Sequence, residues 1–128
     1  MPSNHDRNLF EYAVVRYLPR VEREEFINVG LVMMCKRRRW IRAKVELDFN
    51  RISAFAPGAD LDSIRCQLDA FCKVAEGCPG AIGELDPHER FRWLTAVRSA
   101  CLSTSRPHPG LTENLDETFD RLYSELVL

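Results

Sequence analysis

The sequence predicts an α+β fold: a mostly antiparallel four-stranded sheet of order 4-1-2-3, with helices packed on one face. Residues 10–18 and 40–47 alternate apolar and polar with period two, the signature of half-buried strands. Between them, residues 27–36 are almost wholly apolar. From residue 48 onward, apolar residues recur at spacings of three and four, the helical period. Strands grouped ahead of helices argue for segregated elements rather than βαβ units.

The first strand runs from Phe10 to Leu18 and ends at Pro19, which has no amide proton to give a ladder. Residues 1–8 read as a frayed terminus and 20–26 as a charged connection. The second strand, Ile27 to Lys36, is apolar on both faces and therefore interior. Gly30 within it marks a bulge or a close backbone approach. Lys36–Arg39 is a turn. The third strand, Trp40 to Leu47, turns Ile41, Ala43, Val45 and Leu47 inward and Arg42, Lys44 and Glu46 toward water.

Asp48 caps a short helix that ends at Pro57-Gly58. Asp60 caps the next, whose stripe is Leu61, Ile64, Leu68, Phe71 and Ala75, and Gly77 closes it. Asp86-Pro-His-Glu89 reads as a capping box with proline at the first helical position, opening a helix with Phe91, Leu94 and Val97. Ser99–Ser105 is the fourth strand, a run of small and β-branched residues. Residues 106–110, Arg-Pro-His-Pro-Gly, are not regular structure. Thr112 caps a last helix with Leu115, Phe119, Leu122 and Leu126 on one stripe.

At 128 residues this is one domain, 1–128, with no repeats and no interior linker long enough to divide it. A net charge of −1 creates no global field toward nucleic acid or an acidic membrane. No apolar run approaches the roughly 20 residues that span a bilayer, and the polar N-terminus lacks a secretory signal. The expected location is the cytoplasm. Five cysteines without a Cys-x-x-Cys pair read as free thiols, with no metal site. Phosphate-loop and dinucleotide fingerprints are absent, so no cofactor is implied.

The stretch Tyr12–Gly30 (YAVVRYLPRVEREEFINVG) resembles the opening of a bacterial family, domain-of-unknown-function family 3037. Glu89–Ser99 (ERFRWLTAVRS) and Ser103–Gly110 (STSRPHPG) resemble its second block, so the likeness covers nearly the whole chain. It implies no known activity. It does imply a protein partner, such as a kinase-like protein encoded nearby, of the kind found in toxin–antitoxin systems.

The two blocks supply the candidate site: Arg16, Arg20, Glu22 and Asn28 with Arg98, Ser103, Ser105 and His108. Arg16 and Asn28 lie on hairpin partners, and a fourth strand beside the first brings Ser105 and His108 toward the same end. Arginine offers a planar fork to carboxylate or phosphate, while Asn and Ser add neutral hydrogen bonds. Arg16 and Arg20 pairing with Glu22, Glu24 or Glu25 is the structural alternative. His108 activating Ser103 or Ser105 would need an orienting carboxylate, and no Gly-x-Ser-x-Gly elbow is present. The second candidate is the basic hairpin, residues 36–40, four cations beside Trp40. It suits a nucleic-acid backbone, but near-neutral total charge favours a solvated turn, so nucleic acid is not the expected partner.

The sequence thus favours a non-enzymatic cytosolic accessory or binding module, with no catalytic residues. It would hold a partner protein or small anion at the charged end of its sheet. A small enzyme acting on a phosphorylated or carboxylated substrate at the same Arg/Asn/His/Ser site is the second expectation, and a nucleic-acid binder using residues 36–40 the third.

Overall fold

The computed structural model describes residues 7–96 and 101–128. Its elements run β1 (Asn8–Tyr17), a 3-10 turn (Val21–Arg23), β2 (Ile27–Cys35), β3 (Trp40–Val45), α1 (Phe49–Phe55), α2 (Leu61–Glu76), α3 (Pro87–Leu94), β4 (Leu102–Thr104), β5 (His108–Thr112) and α4 (Leu115–Leu126). The sheet is antiparallel and open, in the order β3-β2-β1-β4, with β5 also paired to β1. The order 4-1-2-3 is therefore correct, and the two-sided apolar strand is interior: eight of the nine β2 residues are buried.

A bulge fixes the register at the charged end. Val15 faces Gly30, but Arg16 faces Asn28, so Val29 is the extra residue. Gly30 answers to a close approach: a Cβ there would lie 2.8 Å from the Lys44 carbonyl oxygen and 2.8 Å from Val45 Cγ1.

Three expectations need correction. The first concerns residues 106–110: only Arg106 and Pro107 are irregular, since His108–Thr112 is strand β5. β1 is ten residues long, and β4 covers only Val15–Tyr17; β5 takes up Asn8–Tyr12 on the same edge. Proline is tolerated because β5 is an edge strand. Gly110 leaves room for the Phe10 ring, which a Cβ there would overlap. The strand also begins at Asn8, which is buried, whereas the rest of the expected frayed terminus, apart from exposed Arg7, lies outside the described residues.

The second correction is that helices cover both faces. On one face α1, α2 and α3 pack against Ala13, Val15, Tyr17, Val32 and Met34. On the other, α4 sets Phe119, Leu122 and Tyr123 against Phe10, Leu31 and Met33. Arg42 is therefore partly covered, whereas Lys44 stays exposed as the alternation predicts. They lie over the Phe119 and Tyr123 rings, at 4.3 and 4.6 Å. The physical reason is β2 itself: apolar residues on both sides need two covers.

The third concerns caps. Asp48 and Asp60 accept from Arg51 and Ser63 amides as expected, and Gly77 closes α2 with φ 85°. Asp86 makes no side-chain cap, because its carboxylate is taken by Arg39 at 2.9 Å. Asn114, rather than Thr112, caps α4. Val97, expected on α3, lies outside the described residues. No helix is long and apolar enough to cross a membrane among the described residues.

Candidate functional site

Arg16 sits at the centre of a row across three strands, with Asn28 of β2 on one side and Ser103 of β4 on the other. Its guanidinium carbon lies 4.0 Å over the ring of Phe26, which is 42% exposed. Stacking of this kind holds the cation without neutralising it. Among the described residues no carboxylate pairs with Arg16, and its Nε is buried without a hydrogen-bond partner. A buried donor left unmatched is costly, and most such groups in folded proteins find a partner.

Asn28 divides its amide. Nδ2 donates to the Leu126 carbonyl at 3.0 Å, while Oδ1 is buried and unmatched. Arg51 of α1 donates to the Val127 carbonyl at 2.8 Å, so two side chains satisfy the orphan carbonyls at the end of α4. Arg16 Nε and, opposite it on β2, Asn28 Oδ1 are thus a buried donor and a buried acceptor without partners among the described residues.

The other expected members are placed elsewhere. Arg20 and Glu22 form their own surface pair at 3.0 Å, both about two-thirds exposed. Glu22 is held below the usual carboxylate range, first by its backbone hydrogen bond and then by Arg20. Arg23 and Glu25 pair likewise. The structural alternative therefore holds for Arg20 and fails for Arg16. A cleft on the opposite side of this connection is lined by Tyr17, Pro19, Arg20, Arg23, Phe55 and Pro57, and both of its arginines are already paired.

Ser105 is buried and fully engaged. Its Oγ accepts from the Val14 amide at 2.9 Å and donates to the Arg106 carbonyl at 3.1 Å. It fills the break between β4 and β5, standing in for a ladder carbonyl. His108 is exposed and lies against Tyr12, with ring centroids 5.3 Å apart. It faces Tyr12 on β1, four positions and roughly 13 Å along the strand from Arg16. Ser105 and His108 are not brought together as nucleophile and base. Arg98 lies outside the described residues.

In the basic hairpin, Arg38 donates to the Asn8 side chain at 2.9 Å and Arg39 pairs with Asp86. Trp40 packs against the α4 cluster. Arg38, Arg39 and the aromatic thus serve the fold.

Sequence reasoning missed two residues. Phe26 gave only a weak signal, an aromatic stranded beside Glu24 and Glu25. Arg51 gave none, because the carbonyls it caps belong to a helix some seventy residues away.

A family model described as "Protein of unknown function (DUF3037)" matches residues 12–127, and the chain belongs to that family. No curated protein and no solved structure matches it.

Proposed function

We propose that this protein is a non-catalytic binding module whose recognition centre is Arg16, holding a carboxylate or phosphate group of a small molecule or partner. One observation carries the reading: a half-buried arginine, stacked on Phe26, has no carboxylate partner and keeps a buried Nε unmatched among the described residues. An incoming anion would accept from Arg16, and Ser103 beside it offers a neutral donor. Asn28 Oδ1 would take a hydrogen from a protonated oxygen or an amide of the same ligand. The engagement of Ser105 and the separation of His108 support binding over hydrolysis.

Thermal unfolding of the wild type and Arg16→Met, with phosphate, sulfate and a series of carboxylates, tests it. Sodium chloride at matched ionic strength is the control. The expected result is a concentration-dependent rise in Tm for the wild type that Arg16→Met lacks. Equal shifts in both proteins, or none beyond the chloride control, overturn the proposal.

A further inference from the structure

The far end of β1 carries a second feature, independent of Arg16 and roughly 23 Å from it along the strand. Leu9 and Leu111 face each other in direct register across β1 and β5. They are 64% and 60% exposed. The next pair on the same face is Glu11 and Pro109. Helix α3 covers the sheet as far as Ala13 and stops, with Arg92 clamping both oxygens of Glu11 at 3.1 and 2.8 Å. The leucines therefore form an apolar shelf beyond the helix. It continues into a groove along α3 lined by Leu9, Met34, Lys36, His88, Arg92 and Pro109.

Charge selects the occupant. The one acid lining that groove, Glu11, is already taken by Arg92, whereas Lys36 is exposed and in no ion pair among the described residues. The groove therefore keeps a net positive side. Glu113 and Glu117 lie on the far flank of Leu111, beside Arg121, which gives the shelf a direction. Strand addition to β5 is disfavoured: the strand has five residues, and Pro109 lacks a donor. We infer that the Leu9–Leu111 shelf docks an acidic, leucine-bearing peptide segment of a partner protein, apolar side chains on the leucines and a carboxylate at Lys36.

Titration of the isotope-labelled full chain with a short peptide alternating Glu and Leu, followed by amide chemical shifts, tests this. The same peptide with Lys in place of Glu is the counter-probe. The acidic peptide should perturb residues around Leu9, Leu111 and Lys36 and leave Arg16 and Asn28 unmoved. The double variant Leu9→Ser, Leu111→Ser should weaken it about tenfold or more, and Lys36→Glu should reverse the preference between the two peptides. Both variants alter exposed side chains, and an unchanged melting curve verifies their fold. Equal binding of the two peptides, perturbation away from the shelf, or concentration-dependent self-association abolished by the leucine changes would each overturn the inference.

Discussion

Two arginines on the same face of the sheet show how a stacked cation can be finished or left open. Arg42 on β3 and Arg16 on β1 share that face through the register that joins Arg42, Met33 and Tyr12. Each lies over an aromatic ring, at 4.3 and 4.0 Å. Arg42 also binds Asp116 and Asp120, both at 3.1 Å, and so braces α4 against the sheet edge. Its ring, Phe119, is fully buried. Arg16 has neither acid, and its ring remains half exposed. The same local geometry is a structural tie where carboxylates complete it and an open binding element where they do not.

The rings should separate most. Phe119→Ala should cost about 3–5 kcal/mol, because it empties a core cluster. Phe26→Ala should cost about 1 kcal/mol or less, the worth of an exposed cation–π contact. Urea unfolding measures both, and equal costs would make Phe26 a core residue and dissolve the contrast. The arginines should separate by less. Arg42→Met should lose about 1 kcal/mol, a loss that shrinks as salt is raised, since its ion pairs are partly exposed. Arg16→Met should be neutral or slightly stabilising and indifferent to salt, because it removes a buried unmatched donor. A salt-sensitive loss at Arg16 would reveal a carboxylate partner and end the open-site reading.

The contrast was only half legible in the sequence. Arg16 opposite Asn28 followed from the hairpin, and the interior place of β2 from its two-sided apolar pattern. That same pattern also required a cover on the second face, yet nothing in the stripe of α4 says which side of the sheet it takes. Arg42 therefore read as solvent-facing like Lys44, although α4 partly covers Arg42 and leaves Lys44 exposed. β5 was hidden because Pro109 and Gly110 are turn residues by local rule, and only the unpaired half of β1 makes them a strand. The capping box at Asp86 failed for a related reason: Arg39, 47 residues away in sequence, competes for the carboxylate. Local chemistry was readable; long-range partners decided which local option was used.

The smallest effect at neutral pH concerns a tyrosine from each region. Tyr123 of α4 is pushed up to about 12, first by burial and then by Glu46, whose Oε2 accepts from its hydroxyl at 3.4 Å. Tyr17, beside Arg16 on β1, is raised by burial and then by Cys101. In both, folding favours the neutral phenol. The stabilisation is complete below the ordinary value of 10.0 and is lost as pH rises, for Tyr123 through about 12. Tyr123→Phe should change little near neutral pH, since the hydrogen bond it removes is long, but should flatten the alkaline loss. Cys72, raised to about 11 from 9.0 by burial and then by Glu76 and Asp69, titrates earlier, so a loss that begins below 10 belongs to it and survives in Tyr123→Phe. Tyr17→Phe should flatten the alkaline limb on the Arg16 side in the same direction. Urea midpoints taken from about pH 8 to about pH 11 for the wild type and both variants read this out. Parallel curves for all three would show that neither phenol is held neutral by the fold. A flattening confined to Tyr123→Phe would show that the fold holds Tyr123 neutral and leaves Tyr17 free to ionise, against the burial that raises both.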